Sequence, residues 1–436
     1  MKTVAFLTLG CKVNTYESEA MLKLFHQDGY QEVDFKEKAD VYVINTCTVT
    51  NTGDSKSRQM IRKAVRQNPD AIVCVVGCYS QIASEEVASI EGVCVVLGTQ
   101  YRNRIVEFVN IYKETHEPVI HVADVMNLSV FEDLDIDEFT KNTRAFLKIQ
   151  DGCNNFCTYC IIPYARGRVR SRLPESVLKQ AQKLVDHGFV EIVLTGIHTA
   201  GYGLDLKDYS FYDLLVDLTT KVKGLKRLRI SSIEMSQVSH EIIDLIATSP
   251  IVVDHLHIPI QSGCDATLKR MNRHYTTEEF SKKLDELKSK LPSLSVTTDV
   301  IVGFPGETKE EFETTYQWIQ SMHFNQLHVF PYSPRQGTPA AKMKEQVDGE
   351  VKHERVKTLM ALSTQLQSEF ADTQIGKVLE VLIEERHGDY MAGHASNYLK
   401  VNVPLSESAI GHIYQVYIEA RDGVELIGSV ISEKDK

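Results

Sequence analysis

Apolar residues along the first hundred positions fall into short runs separated by amphipathic stretches. Thr3–Leu9, Val41–Asn45, Ala71–Val76 and Val93–Leu97 are of strand length and rich in Val, Ile and Leu. Asn14–Gln27, Ser55–Arg66 and Glu85–Ser89 lie between them as helical stretches. This alternation predicts a parallel α/β domain, with Val93–Leu97 closing the series. The pattern lapses near residues 122–142, which are acidic and weakly periodic and are expected to form a linker. It resumes at Arg144 with six strand candidates: Ala145–Ile149, Glu191–Thr195, Arg227–Ser231, His255–Ile258, Ser295–Val302 and Gln326–Phe330. Helical stretches such as Glu175–Val185 and Glu307–Met322 separate them, which predicts a full or partial (β/α) barrel ended by a helix near Val351–Phe370. Residues 375–433 change character. Val378–Glu384, Tyr398–Val403, His412–Ala420 and Val424–Ile431 read as short strands of a small all-β, OB-like module. The fold class is thus α/β with an all-β end, divided as 1–120, 121–142, 143–372 and 373–436.

Composition narrows the class. With 43% hydrophobic and 25% charged residues among 436, general disorder is excluded. No apolar run approaches the roughly 18 residues that a membrane span needs. The start, MKTVAFLTLGCKVN, reads as a strand rather than a signal peptide, so a soluble cytoplasmic protein is expected. The net charge of −11 argues against broad nucleic-acid binding and leaves room for a local basic patch. Nine cysteines, an odd number, suit a metal inventory better than a disulfide framework.

The chemistry lies in the cysteine spacing. Cys153-Asn-Asn-Phe-Cys157-Thr-Tyr-Cys160 places three thiols in the turn after the first barrel strand. Thiolates suit iron–sulfur clusters and zinc, but structural zinc wants a fourth ligand that the flanking residues do not offer. Three thiolates on a four-iron cube leave one iron open to substrate or cofactor. A second trio follows three successive strands: Cys11 in LTLGCKVN, Cys47 in VINTCTVT and Cys78 in VVGCYS. Strand C-termini of a parallel sheet share one edge, so these three should converge despite their separation in sequence. The alternative is three cysteines buried as small apolar residues. Cys74 and Cys94 lie within apolar strands and are expected in the core. Cys264 sits in a polar turn without a partner motif.

CxxxCxxC at the head of a (β/α) barrel resembles the radical S-adenosylmethionine superfamily. Together with GCKVN, NTCTVT and GCYSQ, it is similar to the methylthiotransferases in particular. The blocks DGCNNFCTYCIIPYARGRVRSR, EIVLTGIHTAGYG, RLRISSIE, HLHIPIQSGCDATLKRMNRHY, DVIVGFPGETKEEF and FPYSPRQGTPAA carry that resemblance over nearly the whole chain. The last 60 residues look like the RNA-binding TRAM module of these enzymes. Gly-Cys-Lys-Val-Asn followed by Tyr16-Glu17, and Ser231-Ser232-Ile233-Glu234, resemble the subgroup acting on N6-threonylcarbamoyladenosine in tRNA. The isopentenyladenosine subgroup usually shows Gly-Cys-Gln-Met-Asn. Cys264 departs from the serine common at its position.

The resemblance implies two [4Fe-4S] clusters and S-adenosylmethionine. Cys153, Cys157 and Cys160 would hold the radical cluster, and Cys11, Cys47 and Cys78 an auxiliary cluster carrying the sulfur to be inserted. Cofactor contacts would come from Tyr159, Thr195, Gly196, Ser232, Glu234, Gln261 and Gly303. For Gly303, close approach to the adenosine stands beside ordinary turn geometry. The expected partners are the anticodon loop of tRNA, an electron donor and a sulfur source, with no membrane. Arg58, Arg62 and Arg66 form one stripe on a predicted helix, and Arg166, Arg168, Arg170 and Arg172 would share one side of an extended segment. Both groups, with Lys377 and Lys400 in the β module, are candidates for phosphate contact, and Tyr390 and Tyr398 for base stacking. The competing functions are the same reaction on isopentenyladenosine or on an aspartate of a ribosomal protein, and a non-catalytic iron–sulfur or zinc RNA-binding protein.

Overall fold

A computed structural model describes residues 2–136, 142–404, 406 and 409–434. Six parallel strands form the N-terminal sheet, in the order Tyr30–Glu32, Lys2–Thr8, Val41–Thr46, Ile72–Gly77, Val93–Leu97 and Val119–His121. Three of the four inner strands, Val41–Thr46, Ile72–Gly77 and Val93–Leu97, are buried along their whole length, as strands covered on both faces are. Cys74 and Cys94 are core residues here, as expected. The series does not close at Leu97. Helix Ile105–Thr115 and the edge strand Val119–His121 follow it, and Tyr30–Glu32 adds the opposite edge. Both edge strands have only three residues, too few for a periodicity to register.

The six expected barrel strands are present. Ala145–Lys148, Glu191–Thr195 and Arg227–Ile230 form one parallel sheet, and His255–His257, Ser295–Val302 and Gln326–Pro331 another. Parallel bridges Leu228–Val252 and Ser232–His257 join the two into one curved wall. Helices Pro174–Asp186, Phe211–Lys221, His240–Thr248, Thr277–Lys290 and Lys309–Met322 alternate with the strands. Helix Gly349–Asp372 ends the unit and leads into a closed five-stranded barrel. That barrel contains one strand the sequence pattern missed, Tyr390–Ala395, whose Gly393 and His394 break the apolar alternation.

The expected linker is a packed strap instead. Leu134 and Ile136 belong to the barrel's hydrophobic core, and so do Tyr16 and Ala20 of helix Lys12–Gln27. Glu132 pairs with Arg102, and the Tyr16 hydroxyl donates to the Leu134 carbonyl at 2.5 Å. Residues 137–141 of the expected linker lie outside the described residues. The first helix and the strap therefore lend apolar side chains to the barrel core, beside the separate core of the N-terminal sheet.

Candidate active site

The N-terminal cysteines stand at one sheet edge. Cys11 precedes helix Lys12–Gln27, Cys47 follows strand Val41–Thr46, and Cys78 opens helix Cys78–Ile82. Asn14 ties the first two loops together, donating from Nδ2 to the carbonyls of Leu9 at 2.7 Å and Thr46 at 3.1 Å. Gly10 has a φ of +107°, and a Cβ there would lie 2.9 Å from the Cys47 Cβ. Only glycine lets these two loops approach so closely. Burial raises the Cys47 thiol, and lifts Cys78 to about 11. Against that, Arg166 donates from Nε to the Cys78 sulfur at 3.2 Å.

The barrel cysteines occupy the loop after strand Ala145–Lys148 and the short Gln150–Asp151 pairing. Cys153 N donates to the Gly167 carbonyl, Thr158 N to Met271 and Cys160 N to Cys157, so the backbone fixes the loop at several points. Phe156 sits inside it at φ +45°, a left-handed conformation that a non-glycine residue holds only where its surroundings impose it. Burial raises Cys153 to about 11 and Cys160 to about 12. Arg273 donates to the Cys157 sulfur at 3.3 Å and to Glu234 at 2.9 Å, and Asn155 donates to the same carboxylate at 2.8 Å.

All six are free thiols. Among the described residues, no group of three His, Cys, Asp or Glu side chains is arranged to hold a single metal ion. The donor set instead fits a thiolate-ligated iron–sulfur cluster in each loop system. Each offers three sulfurs and one guanidinium that donates to a sulfur.

Two adjoining cavities separate the loops. One, of about 280 Å³, is lined by Val49 and Thr50 next to Cys47, and by Tyr159, Cys160 and Gln261 of the barrel. The other, of about 630 Å³, is lined by Cys11, Lys12, Thr195, Gly196, Ser232 and, from the C-terminal barrel, Tyr398. Asp299 and Phe330 border both. Of the seven expected cofactor contacts, Tyr159 and Gln261 thus face the first cavity and Thr195, Gly196 and Ser232 the second. Glu234 stands beside the Cys157 loop. Gln261 holds φ +66°, a second left-handed residue at the mouth. Gly303 lines neither cavity. A Cβ there would meet Cγ of Lys352 at 2.3 Å, so its φ of +68° lets the turn pack against helix Gly349–Asp372.

The second arginine group is also corrected. Arg166, Arg170 and Arg172 are buried, and only Arg168 is exposed, its guanidinium 5.5 Å from the Phe156 ring. Arg166 and Arg102 reach Glu17 and Asp151, with Lys148 2.7 Å from Glu17 and 2.6 Å from Asp151. Arg172 bonds Tyr16 and Asp133. These arginines fasten the N-terminal domain to the barrel, where no phosphate reaches. The alternating pattern was legible, but not the buried carboxylates that claim it. Arg62 and Arg66 are exposed on helix Asn51–Gln67, and Arg58 is half-buried, bonded to Tyr79 and Glu86. Lys377 is exposed, and Lys400 is paired with Glu385 and Glu425. Tyr390 is exposed, whereas Tyr398 turns inward between the rings of His255 and His394.

Several residues of the site lie in or near the blocks quoted above but were given no role there. Lys12, His255, His257 and His328 meet on the wall of the larger cavity, and Arg273 stands at the Cys157 loop. Arg335 clamps the barrel to Thr48, Asn51 and Asp54 beside Cys47. Cys264 is buried before helix Asp265–Arg270 and lines neither cavity.

Two family models, curated relatives and solved structures match this chain. The Radical SAM superfamily matches residues 147–319, and the family described as "Uncharacterized protein family UPF0004" matches residues 3–98. A Bacillus subtilis protein, "Threonylcarbamoyladenosine tRNA methylthiotransferase MtaB", is 56% identical over 96% of this chain and 94% of its own. A protein of the same name from Aquifex aeolicus is 39% identical over 88% and 93%. A Moorella thermoacetica "tRNA-2-methylthio-N(6)-dimethylallyladenosine synthase" is 35% identical over 95% of each. Among solved structures, the radical S-adenosylmethionine methyltransferase TsrM from Kitasatospora setae, with tryptophan and a cofactor analogue bound, superposes with a TM-score of 0.57. It covers 78% of this chain and 75% of its own at 16% identity, a likeness of fold.

Proposed function

We infer that this chain, which belongs to the radical S-adenosylmethionine methylthiotransferase family, adds a methylthio group to carbon 2 of N6-threonylcarbamoyladenosine in tRNA. The observation that carries the substrate is the 56% identity to the threonylcarbamoyl relative, against 35% to a dimethylallyl one, each over nearly full length. S-Adenosylmethionine and two [4Fe-4S] clusters are its cofactors. When bound, they supply one-electron chemistry at an otherwise unreactive C–H bond and the sulfur and methyl group that are transferred.

In our reading, Cys153, Cys157 and Cys160 hold the radical cluster, and Cys11, Cys47 and Cys78 the auxiliary one. Arg273 and Arg166 offset the charge of a thiolate in each trio. The cavity lined by Tyr159 and Gln261 receives S-adenosylmethionine beside Cys160. The cavity beside Cys11 receives the nucleobase, so that it lies between the two loop systems. The buried network of Glu17 and Asp151 with Arg102, Lys148 and Arg166 sets the spacing of those loops, which fixes the distance between reacting groups. The exposed Arg62 and Arg66, with Arg58, meet phosphates of the anticodon loop from the helix that follows Cys47. An electron donor and a sulfur source complete the cycle in the cytoplasm. Among the described residues, no helix is long and apolar enough to cross a membrane.

The test is a mass-spectrometric nucleoside profile of tRNA from cells with and without this gene. The expected outcome of deletion is loss of 2-methylthio-N6-threonylcarbamoyladenosine and accumulation of its precursor. Loss of the isopentenyl counterpart instead would keep the chemistry and overturn the substrate.

A further inference from the structure

The larger cavity carries a charge pattern that the transfer of sulfur to an adenine ring does not require. Where the barrel meets the C-terminal module, four cationic side chains gather on its wall and behind it. Arg144 is answered by Glu384 at 2.7 Å, and Arg227 and Arg229 share Glu191 at 2.9 and 2.8 Å. Lys12 is the exception. It is half-buried, lines the cavity, and has no ion-pair partner among the described residues. The acidic residue on the cavity wall, Asp299, already faces His257 at 3.3 Å. A second observation comes from the same wall. His255 is 5% exposed, spends Nε2 on Thr297 at 3.1 Å, and leaves Nδ1 without a partner. An uncompensated ammonium next to an unsatisfied buried imidazole marks a place built for an anionic, hydrogen-bonding ligand.

Building on the proposed substrate, we propose that Lys12 is the residue that recognises the free carboxylate of the threonylcarbamoyl group, with the His255 side of the cavity taking its polar remainder. The geometry of the nucleobase supports this. Carbon 2 and the N6 substituent lie on the same edge of adenine, separated only by N1 and carbon 6. A base with carbon 2 presented to the Cys11 side therefore extends its N6 group along the wall that begins at Lys12. A carboxylate there gains a charge-assisted bond in a partly desolvated site. An uncharged N6 group leaves Lys12 unanswered, so discrimination arises from the cost of that unpaired charge.

The test uses the cluster-loaded protein and synthetic anticodon stem-loops. They carry adenosine, N6-threonylcarbamoyladenosine, or its carboxamide in place of the carboxylate at the modified position. Wild type should bind the carboxylate form at least roughly tenfold more tightly than either other form. Lys12→Gln should lose that preference, and Lys12→Arg should keep most of it. The comparison of carboxylate with carboxamide needs only wild type, so it stands even if a variant folds poorly. Equal binding of the two by wild type overturns the inference, as does an undiminished preference in Lys12→Gln. Equal weakening of all three stem-loops by Lys12→Gln makes Lys12 a phosphate contact and also overturns it. None of these results bears on whether wild type methylthiolates the nucleoside, which the tRNA profile decides separately.

Discussion

Cysteine is informative here because its chemistry depends so strongly on setting. Cys74 lies in an apolar strand and is a packing residue, while Cys78, four residues on, stands at the sheet edge with Arg166 on its sulfur. The difference is the strand end, where the backbone turns and the still-buried side chain meets a charged partner instead of apolar ones. Because the trios stand on separate elements, each should load iron independently. Replacing Cys153, Cys157 and Cys160 together by alanine should leave about half the iron of wild type, roughly four atoms of eight, with a visible absorption band of reduced intensity. Loss of all iron, read by a colorimetric assay on anaerobically reconstituted protein, would mean that the six thiols serve one site.

Helix Lys12–Gln27 shows how one element serves two domains. Met21, Leu22 and Phe25 face the N-terminal sheet, while Tyr16 and Ala20 enter the barrel core. Glu17 lies on the same side as Tyr16 and Ala20, fully buried. Burial alone would raise its pKa, but Arg102, Arg166 and Lys148 overcome that and hold the carboxyl low. Such a network stabilises only when complete. Glu17→Gln leaves Arg102, Lys148 and Arg166 with only Asp151 and Glu132 to answer them, and should cost about 3–5 kcal/mol, seen as a lowered urea midpoint. Arg104→Ala, in an exposed pair with Glu107, should leave the midpoint unmoved. Equal effects from the two would contradict the assignment of Glu17 as the joint between domains.

Among the described residues, the fully buried carboxylates Glu17 and Glu191 each anchor an ionic junction between parts of the molecule, beside the Arg335–Asp54 clamp. Burial would raise Glu191, but Arg229, Arg227 and Arg144 outweigh it and bring the carboxyl down to about 2 from an ordinary 4.5. Because the folded value is depressed, the unfolded chain binds more protons between those limits. The junction contributes its full stability above about pH 4.5, and loses it as pH falls toward about 2. Arg229 also donates to the carbonyls of Ala395 and Ser396, so this junction holds the C-terminal module on the barrel. An acid titration followed by circular dichroism should show wild type losing stability through that window. Glu191→Gln should be weaker at pH 7 and flatter below 4.5. A parallel decline in the two proteins would remove Glu191 from the account.

What the sequence determined by itself was local or periodic: the parallel strands, the six barrel strands and the two cysteine trios. Strand and turn chemistry depends on neighbours, and parallel strands place their ends on one edge whatever lies between them. What only the tertiary structure decided depends on partners remote in sequence. The segment 122–136 reads as a polar linker, yet Leu134 and Ile136 find a core assembled from other elements. Arg166, Arg170 and Arg172 read as a surface stripe, yet carboxylates more than a hundred residues away, or across the Cys153 loop, take them inside. Lys12 is one residue beyond Cys11, but its isolation among paired cations exists only once the barrel and the C-terminal module have closed beside it. Charge pairing between distant residues has no period, and so only the folded chain decides it.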